Sequence, residues 1–169
     1  MVRIAQIHKE AFMPEQKVKI VVIDDEKDLG FLIQEILRKE GYEVFLTDDP
    51  QEGKEICVRE SPQLVLLDYI MPKCYGIEVI SFLRAQPQAA QTKVIMMSGL
   101  VMIRENEGDA LSHDLNKAFV AVVLKGAASG VPWMAFTPEQ VAKYGIHAFL
   151  TKPFSRELLI EVVHKYLSE

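Results

Sequence analysis

Residues 18–25 read VKIVVIDD, a run of mostly apolar side chains that ends abruptly on two aspartates. Such a run, without regular polar alternation, is typical of a strand whose two faces are both covered, as in parallel sheets. The pattern returns along the chain as QLVLLD at 63–68, KVIMMS at 93–98 and IHAFLTK at 146–152. Each of these runs ends on a charged or hydroxyl-bearing side chain. The opening stretch therefore sets the pattern from which the fold is predicted.

Longer amphipathic stretches separate the apolar runs. From residue 26 to residue 40 apolar side chains recur at helical spacing, and Gly41 supplies the stop. The segment 49–52 reads DPQE, which combines a capping side chain, a proline in the first turn and a glutamate at the third helical position. With the short strand at 43–46 and a last helix that Ser155 is expected to cap, strand and helix alternate five times. This alternation predicts an α/β fold with a doubly wound parallel sheet.

Composition and charge narrow the class of protein. The chain has 169 residues, a length that fits one domain, and we predict that residues 1–17 are an N-terminal extension and 18–169 the domain. The net charge of −5 and the scattered basic residues argue against nucleic-acid binding. Cys57 and Cys74 form no metal-binding pattern and fit a reducing cytoplasm. No apolar run is long enough to predict a membrane helix, and the N-terminus does not resemble a secretory signal.

Polar side chains stand at the end of each long strand: Asp24 and Asp25, Asp68, Ser98 and Lys152. The carboxyl ends of parallel strands meet at one edge of the sheet, where α/β proteins bind their ligands. Three carboxylates beside a single lysine repel each other, and Mg²⁺ is the hard cation that fits such oxygen ligands. A carboxylate beside Mg²⁺ is a competent nucleophile toward phosphorus. Lys152 and Ser98 would then neutralise the phosphoryl oxygens.

Four segments resemble, in order, the signature segments of response regulator receiver domains, the CheY-like superfamily of two-component signalling. They are VVIDDE at 21–26, LVLLDYIMPKCYG at 64–76, VIMMSG at 94–99 and FLTKPF at 149–154. The resemblance implies a flavodoxin-like sheet of five parallel strands in the order 2-1-3-4-5, with helices on both faces. It also implies that the chain is a signalling phosphoacceptor rather than an ordinary enzyme.

The resemblance assigns roles to individual residues at the strand ends. Asp68 is expected to be the phosphoacceptor. Mg²⁺ is expected to be held by Asp25, Asp68 and the backbone carbonyl of Ile70, with Asp24 acting mainly through a bound water. The phosphoryl group would come from a histidine kinase or a histidine phosphotransfer protein.

The same resemblance predicts a conformational switch. Ser98 is expected to follow the phosphoryl group, and Phe149 to be the aromatic side chain whose rotamer reports the state. The bond between Lys152 and Pro153 is expected to be cis. Phosphorylation would thereby switch a protein-interaction surface, whose downstream target is unknown.

An insertion at residues 101–136, after the fourth strand, departs from the family pattern. Within it, apolar residues at 109–125 recur at three and four, which predicts an extra helix docked on the domain. Alternatively, Trp133, Met134 and Phe136 beside glycines indicate a surface for a partner or for a homodimer.

Two other functions stay open at this point. A pseudo-receiver would use the same fold as a binding module without phosphorylation. A phosphatase with an aspartyl-phosphate intermediate is less favoured, because those enzymes place the nucleophile in a DxD pattern after the first strand. Here the first strand ends on Asp24-Asp25-Glu26, and the candidate nucleophile follows the third strand.

Overall fold

The computed structural model describes residues 17–72, 74–99, 101–105, 118–122, 134–136 and 138–168. In chain order the elements are β1 (Lys19–Ile23), α1 (Lys27–Lys39), β2 (Glu43–Thr47), α2 (Pro50–Glu60), β3 (Leu64–Asp68), β4 (Ile70–Met71), β5 (Cys74–Tyr75), α3 (Gly76–Arg84), β6 (Lys93–Ser98), β7 (Val101–Glu105), β8 (Ala118–Val122), β9 (Met134–Phe136), α4 (Pro138–Tyr144), β10 (Ile146–Thr151) and α5 (Arg156–Ser168). Five of these strands form a parallel sheet in the order β2-β1-β3-β6-β10. Counted within that sheet, this is the predicted order 2-1-3-4-5.

Helices cover both faces of the parallel sheet, which explains the continuous apolar runs. In the central strand β3, Leu64 and Leu66 pack in the same core as apolar residues of α1 and α5. Val65 and Leu67 pack in the opposite core, with residues of α2, α3 and α4. All four side chains are fully buried. A strand buried on both sides has no polar positions to alternate with its apolar ones.

Capping side chains define the starts of two helices at the predicted residues. The Asp49 side chain accepts hydrogen bonds from the backbone N–H groups of Gln51 at 2.7 Å and Glu52 at 3.4 Å. The hydroxyl of Ser155 accepts from the N–H of Leu158 at 3.1 Å, which confirms the cap of the last helix. The peptide bond between Lys152 and Pro153 is cis, as expected.

The insertion differs from its prediction. Strands β7, β8 and β9 form a separate antiparallel sheet in that order. Because β8 lies inside the predicted helix at 109–125, that helix is wrong over residues 118–122. The segment 118–122 reads AFVAV, whose aromatic and β-branched side chains favour a strand. Pairing with strands on both sides decides between two periods that a short apolar run leaves ambiguous.

The inserted sheet lies beside the last part of the parallel domain. Cα atoms of β7 and β10 approach within 8 Å, as do those of β8 and β9 with α4. Parts of three predictions lie outside the described residues: the extension up to residue 16, the rest of the predicted helix at 109–125, and Trp133. The insertion therefore adjoins the element that leads to Lys152.

Candidate functional site

The predicted polar residues meet at the carboxyl edge of the parallel sheet. Asp24 directly follows β1, Asp68 and Ser98 are the last residues of β3 and β6, and Lys152 directly follows β10. These four strands are neighbours in the sheet, so their ends are close although they are far apart in sequence. The backbone N–H of Lys152 donates to the carbonyl of Ser98 at 2.7 Å, which ties the last two strand ends together.

Three carboxylates form an acidic cluster at this edge. Asp24, Asp25 and Asp68 each offer a carboxylate oxygen, and these oxygens all lie within 4.8 Å of one another. Asp24 and Asp68 are buried, while Asp25 is partly exposed. An arrangement of oxygen ligands with one open side suits a hard divalent cation that keeps several of its waters.

Lys152 is the cation of the site. Its Nζ lies 2.8 Å from Asp24 Oδ2 and 3.2 Å from Asp68 Oδ2. Only 10% of the Lys152 side chain is exposed, so both ion pairs are shielded from bulk water. The expectation that Asp24 would act mainly through a bound water leaves out this contact, which is the shortest that Lys152 makes to a carboxylate.

One lysine does not balance the buried negative charge. The pKa of Asp68 is raised to about 7, mainly by burial and also by the neighbouring charge of Asp24, while Lys152 acts in the opposite direction. Burial also raises the pKa of Asp24 above its usual range, against the hydrogen bond from Lys152. Burial alone would lower the pKa of Lys152, but its contacts with Asp24 and Asp68 raise it. The positive charge of Lys152 thus compensates the carboxylates only in part, which is the observation that fits a metal ion.

Ser98 supplies a second sign of a ligand site. Its side chain is only 2% exposed, and its Oγ has no hydrogen-bond partner in the part of the chain that the structure describes. Buried hydroxyls in folded proteins are nearly always paired, so an orphaned one indicates a group that pairs only with a ligand. Phe149, by contrast, is set back on β10, where it is half-buried against the core that α2, α3 and α4 share.

The segment after Asp68 is folded tightly over the site. The N–H of Ile70 lies 3.5 Å from Asp68 Oδ1, and β4 pairs with β5 before the chain enters α3. The N–H of Gly76 donates to the carbonyl of Tyr69 at 2.8 Å. A Cβ at Gly76 would lie 2.7 Å from the carbonyl oxygen of Asp68, closer than side chains approach a backbone. A glycine is therefore required at position 76, a role that its place at the end of a motif does not reveal.

The structure adds Glu26 to the predicted residues. Its Oε1 lies 3.2 Å from Lys152 Nζ, although 59% of the Glu26 side chain is exposed. The only signal in the sequence is that Glu26 directly follows the acidic pair.

Among the described helices, none is long and apolar enough to cross a membrane.

Comparison with known proteins agrees with this geometry. The family described as the response regulator receiver domain matches residues 20–125, more than half of the chain. Sporulation initiation phosphotransferase F of Bacillus subtilis is 33% identical over 97 residues, which cover 56% of this chain and 78% of that protein. Transcriptional regulatory protein CpxR of Escherichia coli is 38% identical over 80 residues, 47% of this chain. The match spans only 33% of the length of that regulator.

Solved structures share the fold over nearly the whole chain. The chemotaxis response regulator CheY4 of Vibrio cholerae superposes with a TM-score of 0.63 at 18% identity, covering 89% of this chain and 99% of that one. The receiver domain of the sensor histidine kinase PA1611 from Pseudomonas aeruginosa has a TM-score of 0.63 at 19% identity. It covers 91% of this chain and all of that one, and its structure has a magnesium ion coordinated in the active-site cleft.

Proposed function

The chain belongs to the response regulator receiver domain family, and from that premise we propose that it accepts a phosphoryl group on Asp68. The observation that carries the proposal is the environment of that carboxylate. Asp68 is buried at the strand end, 3.2 Å from Lys152 and within 4.8 Å of two further acids. Such a group is held in place and only partly neutralised, as a nucleophile for phosphorus must be.

Mg²⁺ is the proposed cofactor. Asp25, Asp68 and the backbone carbonyl of Ile70 would hold it, with Asp24 at the rear of the site. The choice rests on the donor set, because three clustered carboxylate oxygens suit Mg²⁺ and the described part of the cluster offers no nitrogen or sulfur ligand. When bound, the ion would neutralise charge on the oxygens of the transferred phosphoryl group.

The residues of the chain would carry the transfer as follows. A carboxylate oxygen of Asp68 attacks phosphorus while the P–N bond of the phosphohistidine donor breaks. The electron pair of that bond passes to the imidazole, which leaves as a neutral ring when its other nitrogen carries a proton. The product is an acyl phosphate on Asp68. Lys152 would pair with one phosphoryl oxygen and the Ser98 hydroxyl would donate to another.

The donor is proposed to be a histidine kinase or a histidine phosphotransfer protein. Support comes from Phe31 and Leu32, which lie near the start of α1 and are 59% and 55% exposed. Large apolar side chains so exposed in adjacent positions favour contact with another protein. Because α1 begins three residues after Asp24, a protein docked there would bring its phosphohistidine to the mouth of the site.

The output is proposed to be a change in a protein-interaction surface. Ser98 ends β6 and β7 begins at Val101, so a movement of Ser98 toward a phosphoryl group acts directly on the inserted sheet. The closeness of that sheet to β10 and α4 supports a readout there. A homodimer formed through the insertion is one form that this output would take.

Labelling with a small phosphodonor tests the proposal. The protein is incubated with acetyl phosphate, with and without Mg²⁺, and intact mass is measured for the wild type and for Asp68→Asn. We expect a gain of one phosphoryl group that needs Mg²⁺ and is lost in the variant. A protein that neither gains mass nor binds beryllofluoride would instead be a pseudo-receiver. Turnover of a phosphate ester that depends on Asp68 would favour a phosphatase.

A further inference from the structure

Glu26 is at the start of α1, but its side chain contacts Lys152 instead of capping the helix. It is the residue at the N-cap of α1, and its carbonyl accepts from the N–H of Gly30 at 2.9 Å. Its own N–H donates to Asp24 Oδ1 at 2.9 Å, so its backbone is anchored in the site. The side chain makes no capping hydrogen bond. It extends across the mouth of the site to Lys152 Nζ at 3.2 Å.

With this contact, Lys152 has three carboxylate partners among the residues that the structure describes. Asp24, Asp68 and Glu26 lie 2.8, 3.2 and 3.2 Å from its Nζ. An ammonium group has three N–H donors, so any further partner competes with these three contacts, of which the one to Glu26 is also a hydrogen bond. A phosphoryl oxygen on Asp68 must therefore displace one of them before it can pair with the lysine.

Glu26 is the partner that is most easily displaced. Asp24 is fully buried and Asp68 nearly so, and an unpaired charge at either position would be costly. Glu26 is 59% exposed, and a carboxylate at that exposure is readily solvated when its ion pair breaks. When a phosphoryl oxygen replaces Glu26, Lys152 can keep its contacts with the two buried carboxylates, Asp24 and Asp68.

We propose that Glu26 is a positioning residue that holds Lys152 at the mouth of the site before phosphorylation and releases it to the incoming phosphoryl group. The inference rests on the proposed phosphoacceptor function and concerns the rate of that reaction. Glu26 slows phosphorylation in two ways. It competes for the ammonium that the phosphoryl oxygen needs, and its negative charge repels an anionic donor. Glu26 thereby limits labelling by small anionic donors.

The test compares Glu26→Gln with wild type in labelling by acetyl phosphate and Mg²⁺. In this reaction an oxygen of Asp68 attacks phosphorus, the P–O bond to the acetyl group breaks, and acetate leaves with the electron pair. We expect Glu26→Gln to be labelled about three- to tenfold faster at low salt, the range for an exposed charge next to a reacting anion. The ratio should fall toward one at 1 M salt, where the Debye length is about 3 Å.

Glu35→Gln is the matched control. It removes one negative charge from the same helix, nine residues further on, roughly 13 Å along the axis at 1.5 Å per residue. Glu35 lies 4.0 Å from Arg38 and takes no part in the site, so its labelling rate should equal that of wild type. Equal acceleration by both variants would mean that net charge alone is at work, and would overturn the role of Glu26.

A second measurement examines the contact without phosphorylation. The side-chain ammonium of Lys152 is observed by ¹⁵N NMR in the metal-free protein, and its hydrogens should exchange with water faster in Glu26→Gln than in wild type. An unchanged exchange rate, or a labelling ratio of one at low salt in a labelled wild type, would overturn the inference alone. A wild type that takes no label would overturn the proposed function and this inference with it.

Discussion

At the amino edge of the main sheet, the guanidinium of Arg84 donates to four backbone carbonyls, whereas at the carboxyl edge the buried hydroxyl of Ser98 has no hydrogen-bond partner among the described residues. The two edges belong to the same five strands. At the amino edge each guanidinium nitrogen of Arg84 has an acceptor, whereas at the carboxyl edge the Ser98 hydroxyl has no partner among the described residues. The difference shows where this domain derives its stability and where, on the proposed function, it gives up stability at a ligand site.

The amino edge is satisfied by protein groups alone. Arg84, at the end of α3, reaches the carbonyls of Tyr144 and Gly145 before β10 and those of Ala90 and Thr92 before β6, at 2.9 to 3.1 Å. One side chain thus joins a helix to the starts of two strands. Burial lowers the pKa of Arg84, yet a guanidinium stays protonated at any ordinary pH.

The carboxyl edge is satisfied only in part. The raised pKa of Asp68, to about 7, records a carboxylate whose charge the protein does not fully compensate. The neighbouring Asp24 has a raised pKa for the same main reason, which is burial. Removing an uncompensated polar group, such as the Asp68 carboxylate, should therefore raise the free energy of unfolding, whereas removing the paired guanidinium of Arg84 at the amino edge should lower it.

The largest effect is expected for Arg84→Met. The variant leaves four carbonyls without their donor and loosens the starts of β6 and β10, so the free energy of unfolding should fall by about 2–4 kcal/mol. Urea denaturation followed by circular dichroism measures the change. The control is Arg59→Met, since Arg59 is 62% exposed and, in the described part of the chain, pairs with its neighbour Glu60. A loss for Arg84→Met as small as that of the control would remove the contrast between the two edges.

The two edges also differ in how well the sequence predicts them. The strand ends of the site were predictable because parallel strands must bring their carboxyl ends to one edge, whatever lies between them in the chain. Asp68 and Lys152 are 84 positions apart in the chain and still lie 3.2 Å from each other, as the predicted sheet edge requires. The strand order and the caps at Asp49 and Ser155 were also correct, because they depend on family pattern and on local hydrogen bonds.

Other features depend on contacts that no local pattern contains. Arg84 is an ordinary arginine at a helix end until its four distant carbonyls are known. The contact of Glu26 with Lys152 spans 126 positions, and the place of Glu26 after the acidic pair does not by itself predict it. The strand at 118–122 was predicted as helix because its apolar spacing suited both, and only the pairing with β7 and β9 distinguishes them.

A smaller effect of opposite sign is expected for Asp68→Asn in metal-free protein. An acid whose pKa is raised on folding binds its proton more tightly in the folded state, so stability falls as pH rises from 3.8 to about 7 and stays low above that. The shift corresponds to an upper bound of about 4 kcal/mol. Because Lys152 loses a partner in the variant, we expect a net gain of about 1–2 kcal/mol at pH 8.

Two conditions should abolish that gain. At pH 5 the wild-type Asp68 is mostly protonated, so asparagine offers little advantage. Addition of Mg²⁺ at pH 8 should stabilise the wild type more than the variant, because the ion supplies the missing positive charge. Asp48→Asn serves as the control. Lys27 lowers the pKa of that exposed carboxyl, so removing the carboxylate should lower the free energy of unfolding at pH 8 instead of raising it. Urea midpoints at both pH values decide the matter.

The smallest effects come from a matched pair of hydroxyls, one at each edge. Thr92 is 4% exposed and its Oγ1 donates to the carbonyl of Pro62 at 2.9 Å, so Thr92→Val should lose about 1 kcal/mol. Ser98 is equally buried but its hydroxyl has no partner among the described residues, so Ser98→Ala should be neutral or gain up to about 1 kcal/mol. Thermal unfolding of both variants gives the comparison. Equal losses would mean that Ser98 is already paired in the unphosphorylated protein, and the orphaned hydroxyl could no longer be assigned to a phosphoryl oxygen.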